Sequence, residues 1–290
     1  LTNTIFFDNL IILSNRIMLA AKNLPSEFTT WNLKHKAPCG ADWWVKFVNS
    51  QIRGHNFAWR NRYNLPSWLI RQIGPFGFQL NSLTRTFEYP WCFLATPLEP
   101  GMRVLEIGAG ASGFQFVLAD YGLDVTSVDP LINPSEQVDW IFSAKEFNHL
   151  NHSFGGKVKF IQNFLQNANL DSNHYDRIFS ISAIEHIPPD DAIPLVQEIE
   201  RLLKPGGCFI TTIDLFLDCY PFENQVYNQY GANISIPSLI EQSGLKIKIG
   251  NPAELYGYTE FDAEKIRSRR DEFLVINNVM TQCIILEKLA

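Results

Sequence analysis

The chain has 290 residues, of which 46% are hydrophobic and 19% charged, and its net charge is −6. That length accommodates one large domain with a smaller appendage, and the acidic balance speaks against a general nucleic-acid binder. The cysteines Cys39, Cys92, Cys208, Cys219 and Cys283 show no CxxC spacing. Their pattern argues against a disulfide framework or a metal site and for a reducing cytoplasm.

The apolar run over residues 5–20 is broken by Asp8, Asn9, Ser14, Asn15 and Arg16. It is too interrupted to span a membrane and predicts an amphipathic packing helix, with no membrane partner. Up to about residue 92 no strand–helix rhythm appears. This part holds Trp31, Trp43, Trp44, Trp59, Trp68 and Trp91, and Pro25, Pro38, Pro66, Pro75 and Pro90 cut it into short helical pieces. It reads as a mostly helical cap over 1–90. Its aromatic side chains either seal the cap onto the rest or wall a substrate pocket.

Over 91–290 the rhythm changes to alternating strands and helices. A strand at 103–107 runs through a glycine-rich turn into an amphipathic helix reaching residue 121. A strand at 124–129 stops at Pro130, and a helix is expected over 135–150. Further strands are expected at 157–161 and 176–182, then a helix at 191–203, a turn at 204–207 and a strand at 208–213. A helix near 237–243, a strand at 245–249 and a last strand within 279–287 complete the chain. Such alternation implies a mostly parallel sheet with helices on both faces, the Rossmann-like α/β arrangement.

Ligands of such sheets bind beyond the carboxyl ends of the strands. Gly108-Ala109-Gly110 follows the first strand, where absent Cβ atoms permit a sharp turn and a close ligand, and the next helix offers backbone N–H groups at its start. Asp129 ends the second strand, about 20 residues on, the position of a carboxylate that binds ribose hydroxyls. Glu106, an acid inside an apolar strand, requires a cationic ligand or backbone donors. Together these residues predict a nucleoside-containing cofactor. The string Gly108-Ala-Gly-Ala-Ser-Gly113 also satisfies GxGxxG, so an NAD-dependent oxidoreductase stays open at this point.

Four stretches in order, Val104-Leu-Glu-Ile-Gly-Ala-Gly110, Asp129, Tyr175-Asp-Arg-Ile-Phe-Ser180 and Leu203-Lys-Pro-Gly-Gly207, resemble the successive motifs of class I S-adenosylmethionine-dependent methyltransferases of the small-molecule type. The resemblance is strong over about 101–215, runs weakly to 287 and does not cover the cap. It implies a seven-stranded sheet with its last strand antiparallel, S-adenosyl-L-methionine as cofactor and S-adenosyl-L-homocysteine as product. Glu106, Gly108, Ala109 and Gly110 would border the methionine part, Asp129 and Pro130 the ribose, and Leu131 the adenine. Where the family often has an acid after the third strand, this chain has Asn163 and Phe164. Ser182, Glu185 and His186, after the fourth strand, would face the reacting centre. No metal is implied, because Ser182 stands where a metal-binding branch of the family has an acid.

A hydroxyl acceptor must lose a proton, and His186 suits a general base by its intrinsic pKa; Glu185 and His186 capping the following loop is the alternative. Tyr89 at the cap junction, and Asp214, Tyr220, Tyr227 and Tyr230 in the long aromatic stretch after the fifth strand, are candidate acceptor contacts. The run Lys265-Ile-Arg-Ser-Arg-Arg270 reads as solvated surface. The expectation is a cytoplasmic enzyme that O-methylates a small organic acceptor in natural-product or glycan biosynthesis, with no nucleic-acid partner. A non-catalytic S-adenosylmethionine-binding module is the other alternative.

Overall fold

The computed structural model describes residues 18–50, 57–131 and 142–290. The helix expected over 5–20 therefore falls almost wholly outside the described residues. Its end is not helical: Leu19 bridges Gln282 and Ala21 bridges Phe273, both antiparallel. The first part of the helix expected over 135–150 is also outside, and its described part runs Ala144–Ser153 behind a Ser143–Glu146 capping box.

Seven strands form one sheet: β1 Arg103–Ile107, β2 Asp124–Val128, β3 Val158–Ile161, β4 Tyr175–Ile181, β5 Leu203–Phe216, β6 Lys246–Ile249 and β7 Val279–Glu287, in the order β3-β2-β1-β4-β5-β7-β6. The first five pair in parallel. The last strand in sequence, β7, inserts antiparallel between β5 and β6. The expected seven-stranded Rossmann-like fold is thus present, together with a helical N-terminal region.

The strand interiors explain the parallel core. In β1, Val104 to Ile107 are buried, and in β2 the same holds for Val125 to Val128. Strands covered on both faces read as continuous rather than alternating runs. β5 is longer than the sequence suggests. The stretch 204–207 belongs to it, because Lys288 supplies backbone partners there: Gly206 N–H donates to Lys288 O at 2.8 Å, and Lys288 N–H to Gly207 O at 3.0 Å. The parallel register slips between Tyr175 and Arg177 to admit the extra residues.

A second departure concerns the helix Phe114–Asp120. It was expected to be amphipathic, yet Phe114 to Ala119 are all buried. The cap covers its outer side. The helix Arg85–Leu94, which crosses from cap into main domain, brings Tyr89 into stacking with Phe114 at 5.7 Å and 14°. Phe76, at the end of the cap, packs on Tyr89 at 4.7 Å. Trp31, Trp44 and Trp91 lie in this shared core, and Trp44 Nε1 donates to Gly77 O at 2.9 Å. Trp43 and Trp68 stay on the surface. The buried cap tryptophans therefore seal the cap to the sheet.

Gly113 is fixed by this packing. Its φ is +90°, and a Cβ there would lie 2.5 Å from the Pro75 carbonyl oxygen. Gly113→Ala should therefore destabilise the protein by about 1–3 kcal/mol, from left-handed strain plus a clash with backbone. Denaturant unfolding checks this, and a variant within about 0.5 kcal/mol of wild type would contradict the tight seating of the cap.

Candidate active site

Register brings the expected site residues to one sheet edge. Ile107 pairs with Val128 on one side and Ser180 on the other, and Ile181 pairs with Thr212. Gly108, Asp129 and Ser182 consequently leave their strands at the same carboxyl edge, and Asp214 lies two residues beyond Thr212 on β5, which continues to Phe216. The order β2-β1-β4 also makes this the place where the chain reverses direction across the sheet, the crevice that ligands use in this architecture.

On the β1–β2 side, Asp129 is tied to the glycine turn. Its Oδ2 accepts from Gly110 N–H at 2.7 Å and its Oδ1 from Leu131 N–H at 2.6 Å. Burial raises its pKa, and these two N–H donors oppose the rise. Leu131 has φ +54°, a left-handed conformation rare for a branched residue and stabilised by that bond. The N–H groups at the turn are less free than the sequence suggests, because Gln79 Oε1 from the cap also accepts from Ala111 N–H at 2.8 Å. Gln115 Nε2 donates to Gly110 O at 3.0 Å and braces the turn from the following helix.

Glu106 sits beneath this turn and is 1% exposed. Ser112 Oγ donates to its Oε1 at 3.3 Å, while Oε2 is buried without a hydrogen-bond partner. Burial pushes its pKa up to about 8. A buried carboxyl with an open oxygen beside a glycine turn fits a ligand that carries an ammonium group. Gly108 is exposed backbone at φ +71°, and a Cβ there would come within 2.8 Å of Ala183 Cβ. The turn after β1 and the turn after β4 thus touch.

The β4–β5 side holds a buried polar cluster centred on Glu88, which is 0% exposed. Arg85 Nη1 donates to Glu88 Oε2 at 2.5 Å and to Ser182 Oγ at 2.6 Å. The hydroxyls of Ser182 and Thr212 reach Glu88 Oε2 at 2.7 and 2.8 Å, and that of Thr281 reaches Oε1 at 3.1 Å. Burial opposes the ionisation of Glu88, but the Arg85 guanidinium and the Ser182 hydroxyl hold it below the usual carboxylate range. Asp214 Oδ1 lies 3.0 Å from Ser182 Oγ and 3.4 Å from Thr281 Oγ1. Burial, with Glu185 and Glu88 nearby, pushes Asp214 well above its ordinary value. Ser182 has φ +40°, so its backbone is held in a rare conformation by these bonds.

Glu185 is 2% exposed; its Oε1 accepts from Asp214 N–H at 3.2 Å and its Oε2 has no partner. Burial pushes its pKa up to about 7. His186 points outward, with Nδ1 2.7 Å from Tyr230 O. Of this pair, the acid faces the cluster and the histidine latches the loop that follows β5. Tyr220, Tyr227 and Tyr230 are exposed on that loop, where a polar hollow of about 460 Å³ is lined by Asp218, Gln225, Asn228 and Tyr230.

Other candidates lie apart from the edge cluster. Tyr89 is 1% exposed and its hydroxyl donates to Asn81 Oδ1 at 3.0 Å, which places it in the cap–sheet core. Asn163 uses its side chain on its own turn, donating to Asn167 O at 3.0 Å and accepting from Phe164 N–H at 2.9 Å; Phe164 is exposed. Ala109 is buried, and Pro130 is half-buried beside Asp129. Among the described residues no group of His, Cys, Asp and Glu has the geometry of a metal site, and all the cysteines are free. The basic run at 265–270 is partly paired: Arg267 meets Glu223 and Arg269 meets Glu272. Sequence reading missed Arg85, Thr281, Gln79 and Gln115. Arg85 had a visible signal, the i,i+3 pair with Glu88 on a helix entering the core.

Residues 105–211 match the family model of a methyltransferase domain. The chain is 30% identical over 146 residues to cycloartenol-C-24-methyltransferase 1 of Oryza sativa subsp. japonica, covering 50% of this chain and 40% of that one. It is 29% identical over 122 residues to the ubiquinone biosynthesis O-methyltransferase of Actinobacillus pleuropneumoniae, covering 41% of this chain and 49% of that one. The chain thus spans less than half the length of each of these relatives. An S-adenosylmethionine-dependent methyltransferase structure from Mesorhizobium loti superposes with a TM-score of 0.47 at 14% identity, covering 69% of this chain and 97% of that one.

Two outcomes test the electrostatics. Arg85→Gln strands the Glu88 charge and should cost about 3–5 kcal/mol in denaturant unfolding, most of it recovered when Glu88→Gln is added; equal single and double variants would show that the pair is not coupled. Glu106 has a folded pKa of about 8 against 4.5 ordinarily, so the folded protein holds the extra proton and stability falls as pH rises through that window. Glu106→Gln should therefore raise the melting temperature at pH 8 relative to wild type and flatten its pH dependence; an unchanged slope would remove Glu106 as its source.

The GxGxxG string alone left a nicotinamide-dependent enzyme open; the matched segment and the antiparallel β7 close that alternative. Residues 105–211 thus resemble a methyltransferase domain, and they lie in a seven-stranded sheet whose β7 runs antiparallel between β5 and β6.

Proposed function

We propose that this chain binds S-adenosylmethionine across the β2-β1-β4 edge and transfers its methyl group to a hydroxyl of a small organic acceptor. The observation that carries the reading is the pair of unpartnered buried carboxyl oxygens, Glu106 Oε2 and Glu185 Oε2, on either side of the contact between Gly108 and Ala183. Glu106 would hold the amino-acid ammonium of the donor and Asp129 its ribose hydroxyls, with exposed Gly108 as the floor between them. The donor supplies an electrophilic methyl group, and what remains for the protein is alignment and proton removal.

Glu185 is the group best placed for that proton. It lies in the cluster, has a free oxygen, and its pKa of about 7 matches a base working near neutrality. His186 supports the acceptor side differently, by fixing the carbonyl of Tyr230. Asp214, Tyr220, Tyr227 and Tyr230 would line the acceptor's approach, and the exposed aromatic rings suit a mid-sized organic metabolite such as a natural-product or glycan intermediate. The relatives' names cover methylation at carbon and at oxygen. A proton acceptor beside the reacting centre is what supports oxygen here.

Titration calorimetry with S-adenosylmethionine tests the first half. Asp129→Ala should weaken binding at least tenfold, since it removes charge-assisted bonds worth about 1.5–3 kcal/mol each; unchanged affinity would exclude Asp129 from the site. Transfer of labelled methyl to a metabolite extract tests the second half. Glu185→Gln should lower labelled product far more than His186→Ala, and the reverse order would return the base role to His186.

A further inference from the structure

The cluster around Glu185 can be counted proton by proton. Arg85 Nη1 donates to both Glu88 Oε2 and Ser182 Oγ, so Arg85 and Glu88 form an ion pair of zero net charge. Ser182 has a single hydroxyl proton, and its shorter contact, 2.7 Å, is to Glu88 Oε2. The 3.0 Å contact between Ser182 Oγ and Asp214 Oδ1 then needs its proton from Asp214. Thr281 is in the same position: its hydroxyl proton goes to Glu88 Oε1 at 3.1 Å, leaving none for Asp214. Asp214 is thus a neutral acid held by hydroxyls. The charged and titratable groups that face Glu185 are Arg85 and Glu88 from the helix Arg85–Leu94, Asp214 from β5, and His186 in its own turn. Glu88 offsets only part of the Arg85 charge at Glu185, Asp214 is neutral, and His186 turns to the Tyr230 carbonyl. Glu185 is the acid of the cluster whose Oε2 is buried without a partner.

The turn carrying Glu185 abuts the glycine turn, where Ala183 Cβ closes on Gly108. A ligand whose ribose lies at Asp129 and whose ammonium lies at Glu106 has its sulfur beside that contact. We propose that Glu185 is switched on by the charge of the methyl donor: it loses its proton when the site holds a sulfonium and regains one when the site holds the neutral thioether. This rests on the functional reading above. In the transfer, the acceptor O–CH3 bond forms as the S–CH3 bond breaks, and the S–CH3 electron pair stays on sulfur. The acceptor's hydroxyl proton moves to Glu185 Oε2. One positive charge on sulfur and one negative charge on Glu185 disappear together, so no net charge is left buried. The base is therefore ionised with donor bound and neutral with spent product, which disfavours a stranded charge in either state.

The test compares S-adenosylmethionine with S-adenosylhomocysteine by titration calorimetry at pH 7 in buffers of different ionisation enthalpy, which reads protons released on binding. Both ligands carry the same ammonium, so any proton released by Glu106 is common to both and should vanish in Glu106→Gln. The sulfonium ligand should release more protons than the thioether, by a fraction of a proton up to one, because Glu185 has a pKa of about 7 and is partly protonated at this pH. That difference should be absent in Glu185→Gln and intact in Glu106→Gln. On the wild-type protein, needing no variant, the preference for S-adenosylmethionine over S-adenosylhomocysteine should rise roughly five- to tenfold from pH 6 to pH 8. Equal proton release by both ligands, a pH-independent preference, or a difference that survives in Glu185→Gln would overturn the proposal. Failure of both ligands to bind would instead overturn the functional reading, so the two failures are distinguishable.

Discussion

The buried ion pair of Arg85 with Glu88 is the constraint on which the site's geometry depends. Glu88 is fully buried and Arg85 keeps 14% of its side chain exposed, and placing two charges this far inside a protein is unfavourable unless every remaining lone pair is met. Here Ser182, Thr212 and Thr281 meet them, from the ends of β4, β5 and β7. Since Arg85 and Glu88 arrive on a helix shared between cap and sheet, the pair couples three strand ends to the cap in a single arrangement. A hydrophobic replacement could match its stability. It could not hold Ser182 in a left-handed conformation beside Asp214.

The cap takes part in the donor side of the site as well. Gln79 takes the Ala111 N–H, and the Pro75–Phe76 backbone presses against Gly113. A free glycine turn would sample many conformations, because glycine loses the most backbone freedom on ordering. The packed cap restricts it beforehand, so that binding need not supply the ordering. Gly113, whose match to GxGxxG carries no cofactor logic of its own, is required by this packing.

Much of the fold was legible because parallel strands buried on both faces leave uninterrupted apolar runs, as in 104–107 and 125–128. Glycine turns and strand-end acids mark their carboxyl ends. What was not legible depended on contacts between distant segments. The helix Phe114–Asp120 reads as amphipathic until the cap covers it. Residues 204–207 read as a turn until Lys288 supplies partners. Tyr89 reads as a residue at the mouth of the site, and only three-dimensional packing shows it stacked on Phe114. In the cluster, Glu185 and Asp214 were visible as acids. Their raised pKa values were not, because these follow first from burial and then from charged neighbours distant in sequence, Glu88 among them.

That engagement also bears on what kind of acceptor the proposed reaction takes. A carboxylate or phosphate brought next to Glu88, Glu185 and Asp214 would find the cluster's guanidinium already committed. Its desolvation would go uncompensated, and it would raise the pKa values of the acids further, weakening the base. A neutral hydroxyl would meet no such opposition, and in the proposed reaction its proton would have a destination in Glu185. The exposed tyrosines beyond can cover apolar surface while keeping their own hydroxyls in water. In the proposed reaction the outer loop would govern the acceptor's shape, while the inner acids would govern its charge. Both are fixed through His186 and Gly231, which join the loop to the turn that carries Glu185.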